Sequence, residues 1–181
     1  MKKKVALLLM AIALVSCQSG RLSKTASVSD AETIIIGTFK ITKDGKNANK
    51  NSKIYFDENQ KGVLTYRLGE DGTIIMKLPK GNHFLKLLYT PYGSANLPDG
   101  YANITVPESG KVYYIGEIEI DGTGVFQKKF SGIVRDVQAK DLKEKKIPIR
   151  VTDKRDEVLE AYEKEFGKEK PVVISLLEVS Q

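Results

Sequence analysis

Lys111-Val-Tyr-Tyr-Ile-Gly-Glu-Ile-Glu-Ile120 is the stretch from which the fold is read. Apolar and polar residues alternate along it, and β-branched and aromatic side chains dominate, which is the pattern of a strand with one face in a core. The two-residue period predicts Val112, Tyr114, Gly116, Ile118 and Ile120 on one face, with Lys111, Tyr113, Glu117 and Glu119 on the other. Pro107-Glu-Ser-Gly110 makes the turn before it, and Gly122-Thr-Gly124 the turn after.

Upstream the same pattern repeats at short spacing. Residues 33–41 predict a first strand with Ile35, Gly37, Phe39 and Ile41 on one face. Further strands are expected over 53–57, 62–68, 73–78 and 82–90, separated by the turns Gly69-Glu70-Asp71-Gly72 and Pro79-Lys80-Gly81. Over 82–90, His83, Leu85, Leu87 and Tyr89 are expected to share one face, and Phe84, Lys86 and Leu88 the other. Apolar residues on both predict a central strand.

Downstream, Phe126, Phe130 and Val134 predict a strand over 125–137, and Pro148 keeps 147–151 extended. Thr152 or Asp153 can cap a helix over about 153–166 with Val158, Leu159, Tyr162 and Phe166 as its apolar stripe. Gly167 suits the helix exit and Pro171 stops its continuation. Such a stripe is expected to pack on its own sheet. Residues 172–179 then read as one last strand rejoining it. The fold class is therefore mainly β (α+β): an antiparallel β-sandwich with one C-terminal helix and a final strand, forming a single domain over 33–179.

The start of the chain has a different character. Lys2, Lys3 and Lys4 precede an apolar run over 5–15 that is too short to cross a bilayer, which takes roughly 20 apolar residues. It closes on Leu14-Val15-Ser16-Cys17, and Cys17 is the sole cysteine. These residues resemble the lipobox of bacterial lipoproteins. The resemblance implies removal of 1–16 by cleavage between Ser16 and Cys17, and lipidation of the Cys17 thiol. Two or more acyl chains anchor stably where one does not. Gln18 stands where an aspartate would retain a lipoprotein at the inner membrane, so outer-membrane sorting is implied in a two-membrane cell. Residues 17–32, poor in apolar periodicity, are expected to form a flexible tether.

The β pattern carries a second resemblance. Gly110-Lys111-Val112-Tyr113-Tyr114-Ile115-Gly116, taken with Leu78-Pro-Lys-Gly81 and the strand ending at Tyr89, is similar to prealbumin-like envelope domains. These include the carboxypeptidase regulatory-like modules and small bacterial lipoproteins. It covers roughly 33–121 and implies a sandwich of prealbumin/Ig-like kind; it brings no functional residues.

Two loops are candidates for recognition. The first, Tyr89-Thr-Pro-Tyr-Gly-Ser-Ala-Asn-Leu-Pro-Asp-Gly100, offers Tyr89, Pro91, Tyr92, Asn96 and Pro98 as a binding loop, with a rigid crossover between sheets as the alternative. The second, 43–53, carries Lys43, Lys46, Lys50 and Lys53. It reads as a solvated hairpin loop or as a contact for anionic headgroups or wall polymer. No aromatic residue interleaves its lysines, so the stacking platform of single-strand nucleic-acid binders is missing and no nucleic-acid partner is expected.

Catalytic signals are weak. His83 is the sole histidine, with no Gly-x-Ser-x-Gly elbow, and Cys17 is committed to lipid. No catalytic residue, metal or cofactor is expected. The 29 basic and 23 acidic residues give a net charge of +6. Without Lys2, Lys3 and Lys4 the balance is 26 against 23, a mild +3. The expectation is a lipid-anchored, non-catalytic binding or scaffolding module of the cell envelope. It would be held to the membrane through Cys17 and partnered by an envelope protein or a cell-wall or surface glycan. A surface-exposed adhesive lipoprotein and an envelope hydrolase are the alternatives.

Overall fold

The computed structural model describes residues 18–19, 33–58, 62–126, 143–167 and 170–180. Ser16, Cys17, most of the expected tether and the greater part of the strand expected over 125–137 lie outside them. The strands are β1 Gln18–Ser19, β2 Ile34–Lys43, β3 Lys46–Asn47, β4 Lys53–Glu58, β5 Gly62–Arg67, β6 Thr73–Lys77, β7 Gly81–Thr90, β8 Gly93–Asn96, β9 Ala102–Val106, β10 Val112–Asp121, β11 Ile149–Thr152, β12 Val172–Ile174 and β13 Glu178–Val179. The helix is α1 Arg155–Phe166.

The strands form two sheets. One runs β1-β5-β4-β7-β9-β13, with β8 also on β7; the other runs β11-β10-β2-β3, with β12 on β10 and β6 on β2. The protein is thus mainly β, a sandwich with one C-terminal helix. The first sheet is antiparallel apart from β1. The second is mixed, because β2 and β12 both run parallel to β10. Parallel neighbours need a long crossover; between β2 and β10 the intervening strands of both sheets provide it.

Between the sheets lies the main core, with Ile35, Phe39 and Ile41 of β2 facing Ile54, Phe56, Leu85, Leu88 and Ile104. Phe56 meets Tyr66 edge-on at 6.2 Å and 65°. Core tyrosines end on backbone carbonyls: the Tyr66 hydroxyl donates to Lys77 O at 2.7 Å, and that of Tyr101 to Ile147 O at 2.6 Å. The apolar ring is buried while the hydroxyl keeps a partner.

A second, smaller core forms on the outer face of the second sheet. There Ile34, Ile36, Ile75, Val112 and Tyr114 lie beneath Val158 and Tyr162 of α1, with Leu159 and Phe166 against them. The apolar stripe of the helix does pack on its own sheet.

Among the described residues, two of the three ten-residue strands, β7 and β10, break the simple alternation. In β10, Val112 and Tyr114 face the helix while Ile118 and Ile120 face the main core, so they do not share one face. The register against β2 shifts between Tyr114 and Glu117, where Ile115 and Gly116 together oppose Gly37. One extra residue exchanges the faces beyond it. In β7 the register against β4 shifts so that Tyr55 opposes Leu87 and Phe56 opposes Leu85. Lys86 is the extra residue, and Leu85 and Leu88, expected on opposite faces, both enter the main core.

Other boundaries also differ. Residues 93–96 form β8 rather than loop, because β7 offers them a free edge. The start of the strand expected at Val125 is a turn, with Val125 N and Phe126 N both donating to Gly122 O. The single last strand is two: β12 pairs with β10 in one sheet and β13 with β9 in the other, while buried Leu177 crosses between them. Gln18 and Ser19, expected in the tether, pair with Tyr66 and Arg67.

Neither Thr152 nor Asp153 caps α1; Lys154 occupies that position with no side-chain cap. Instead the Tyr114 hydroxyl accepts from Lys154 N at 2.8 Å, so the sheet supplies the acceptor. Burial pushes the Tyr114 phenol up. Beside it Glu117, nearly buried, takes Lys154 Nζ and Lys40 Nζ, each at 2.7 Å. Burial acts to raise this carboxyl, but the hydrogen bonds and charges of the two lysines outweigh it and hold it below its ordinary value.

A depressed carboxyl stabilises the fold above its unfolded pKa, and that contribution is lost as pH falls through the folded one. Glu117→Gln is therefore expected to lower stability at pH 7 by about 1–2 kcal/mol, screening by solvent included. The gap from wild type should shrink below about pH 4. Thermal melts at pH 7 and pH 3 check this; an equal gap at both would show that the charge of Glu117 contributes nothing.

Candidate binding site

At one end of the sandwich three turns, drawn from both sheets, enclose an open cup of about 270 Å³. Each is fixed by bonds from side chains to backbone.

The first runs from the turn after β2 through residues 47–51, and it is these last that line the cup. Asp44 and Gly45 take φ of +51° and +71°, and Asp44 N donates to Thr123 Oγ1 at 2.9 Å. Thr123 is itself bound to Asp121, whose carboxyl those bonds hold below its ordinary value. Asn49, buried, plugs the space behind β3. Its Oδ1 accepts from Ile41 N and its Nδ2 donates to Phe39 O, both at 2.9 Å. Asn47 Oδ1 accepts from Asn49 N at 2.7 Å, and Ser52 Oγ donates to Ala48 O. A polar loop is thereby tied as tightly as a core segment.

The second turn is Gly69-Glu70-Asp71-Gly72, closed by Gly72 N on Gly69 O at 3.3 Å; its Glu70 carbonyl accepts from Asn47 Nδ2 at 3.3 Å. The third is Thr90-Pro91-Tyr92-Gly93 between β7 and β8. Thr90 Oγ1 donates to Gly93 O at 2.9 Å and accepts from Tyr92 N at 3.2 Å. Tyr92, 37% exposed, is left on the rim with Pro91.

Opposite them stand Asn47, Lys50, Asn51 and Glu70, over a floor at Ala48. Lys43 Nζ sits 6.0 Å from the centroid of the Tyr92 ring, within cation–π range. Lys50 Nζ lies 3.6 Å from Glu70 Oε2, with both side chains mostly in solvent, so the pair is weak and easily parted.

The five residues of the expected binding loop separate. Pro91 and Tyr92 line the cup. Tyr89 is half-buried on β7, with Lys53 Nζ 6.0 Å from its ring. Asn96 does not bind outward: its side chain is buried on β8, its Oδ1 finds no partner among the described residues, and its backbone carbonyl accepts from Lys145 N at 2.9 Å. Pro98 is half-buried, its carbonyl accepting from Tyr101 N at 3.0 Å. Nor is the loop a crossover between sheets, since β7, β8 and β9 belong to the same one.

In sequence, Asn47 and Asn51 read only as members of the polar loop over 43–53 and Glu70 as part of a turn, none of them as a binding residue. The aromatic ring that the lysine loop lacks in sequence reaches it in space from the β7–β8 turn. His83 is buried away from the cup, and its Nε2 lies 2.8 Å from Pro79 O. A carbonyl can only accept, so that nitrogen carries the proton. Among the described residues no cluster of His, Cys, Asp and Glu is arranged to hold a metal ion, and no helix is long and apolar enough to cross a membrane.

What fold and cup define together is a two-sheet β scaffold displaying a small, preorganised polar–aromatic recess. No family model matches the chain, and no curated protein or solved structure does either.

Proposed function

We propose that this protein is a lipid-anchored, non-catalytic binding module of the cell envelope, tethered at Cys17 and presenting the cup to a ligand. The observation that carries the binding role is the construction of the cup. Three turns from two sheets are held by hydrogen bonds from side chains to backbone around an exposed tyrosine. Recognition loops on a rigid scaffold are built in this way, because ordering them in advance lowers the entropy lost on binding.

The anchoring role rests on Lys2, Lys3, Lys4, the apolar run and Leu14-Val15-Ser16-Cys17. In a cell with two membranes the outer one is the proposed site. The sandwich itself we read as prealbumin-like, with the Gly110–Gly116 stretch entering β10 at the centre of the second sheet.

Cys17→Ser is expected to abolish lipidation and leave a soluble or unprocessed chain. Membrane fractionation with an immunoblot for size checks this. A mature-sized variant that still fractionates with membranes would refute the anchor.

A further inference from the structure

Away from the cup, the outer edge of β12 is open. Pro171 O accepts from Val112 N at 3.1 Å and Ser175 N donates to Tyr114 O at 2.9 Å, so residues 171, 173 and 175 turn their backbone groups toward β10. Alternate residues of a strand bond to opposite sides, hence the N–H and C=O of Val172 and Ile174 point out of the sheet. Among the described residues no strand but β10 pairs with β12. The side chains of the same two residues lie on the α1 face of the sheet, beside Val112 and Tyr114, yet remain 36% and 46% exposed. With Tyr92 they are the exposed large hydrophobics of the described residues.

Other edges are guarded. β3 carries Lys46, β6 Lys77, β11 Arg150 and β13 Glu178, and a charge on an edge discourages a further strand. From Pro171 to Leu177 there are seven residues without a charge. An apolar edge with open hydrogen-bonding groups and no charge in it accepts a strand rather than repelling one.

Symmetry selects the occupant. When β12 meets a copy of itself antiparallel about Val173, each Val172 stands opposite the other copy's Ile174. The outward N–H and C=O groups of both strands are then all paired. Each exposed valine packs on an exposed isoleucine, and no like charges are opposed. A strand with charged side chains at these positions would gain none of that packing. Two-fold pairs are also the commonest closed assembly. Under the anchoring proposed above, a second copy in the same membrane meets the edge at high effective concentration.

We propose that two copies of this protein associate through β12, joining their second sheets into one continuous sheet across a two-fold axis at Val173. Three residues make a short ladder, so the dimer is reversible.

Sedimentation equilibrium of the full chain in density-matched detergent is expected to give a mass that rises from monomer toward dimer with concentration. Ile174→Lys should weaken the dimer about tenfold or more without moving the melting temperature appreciably, since that side chain is exposed. In a Cys17→Ser background, which removes the sole native thiol, Val173→Cys should oxidise to a covalent dimer. The two Val173 positions form a non-hydrogen-bonded pair with Cα atoms about 4.5 Å apart, inside the range of a disulfide. Lys50→Cys, exposed at the cup, is the control for chance collision and should not cross-link. A mass that stays monomeric at every concentration, or a dimer that Ile174→Lys leaves intact, overturns the proposal, as does equal cross-linking of the two cysteine variants. A photo-cross-linking residue at position 174 in intact cells should give a product of twice the chain's mass. A product with a different protein alone would assign the edge to a foreign strand and overturn the second copy. The measurements in detergent need no membrane, so their failure is distinct from failure of the anchor.

Discussion

Gly72→Ala is expected to destabilise the protein by about 4 kcal/mol, lowering the melting temperature by roughly 8–16 °C for a chain of this size. Gly72 has φ +73°, where an L side chain costs about 1–2 kcal/mol. A Cβ there would also run into the Phe39 carbonyl oxygen and come 2.5 Å from Asn49 Nδ2. That oxygen accepts from Asn49 Nδ2, and Phe39 N donates to Gly72 O at 2.9 Å. Parting the strands strips these buried groups, at about 1 kcal/mol or more for each. Gly45→Ala is the control: its φ is +71°, yet nothing lies within 4 Å of the added Cβ, so only the conformational cost of about 1 kcal/mol remains. Thermal melts by circular dichroism compare the two. Equal shifts would mean that the packing around Asn49 is unimportant. Because Asn49 anchors the floor of the cup, Gly72→Ala should also lose ligand at temperatures where it is still folded.

The elements legible in the sequence are those whose signal is local. The stripe Val158, Leu159, Tyr162, Phe166 announces a helix and its buried face because i, i+3 and i+4 positions fall together regardless of what they meet. The acceptor at its start was not legible, since it is the hydroxyl of Tyr114, forty residues away. Gly93-Ser-Ala-Asn96 reads as loop because its composition is poor in strand formers, yet pairing with β7 makes it a strand.

The cup was half legible. An exposed tyrosine between Pro91 and Gly93 and a lysine-rich hairpin loop are each visible alone. Their meeting depends on how two sheets stack, which no local pattern encodes. Asn96 and Pro98 leave the site because the segment that carries them turns back along β7, where Asn96 pairs with Glu144 and accepts from Lys145 N.

The period-two rule failed once in each sheet, at a comparable place, and the second failure points to the other large effect. In each sheet a long strand serves two neighbours along a single edge: β9 then β8 on β7, and β12 then β11 on β10. The extra residue falls between the two neighbours each time. On β7 it is Lys86, which nothing in the sequence marks. On β10 it includes Gly116 at φ +103°, a region essentially closed to side chains. A Cβ on Gly116 would lie 2.7 Å from Val151 Cγ1 and 3.3 Å from both Leu176 Cδ2 and Thr152 O. Gly116→Val therefore combines backbone strain of about 1–3 kcal/mol with overpacking of similar size, and is expected to cost about 4 kcal/mol. If the strand relieves that strain by losing its bulge, Ile118 and Ile120 exchange faces with Glu117 and Glu119, which would put two carboxylates into the main core. The bulged arrangement thus has no cheap alternative. Hydrogen exchange should show protection lost first in β11, β12 and α1, which hang on β10, and retained in β4, β5 and β7 of the other sheet. Uniform loss across both sheets would mean that the bulge supports the whole sandwich rather than this one edge.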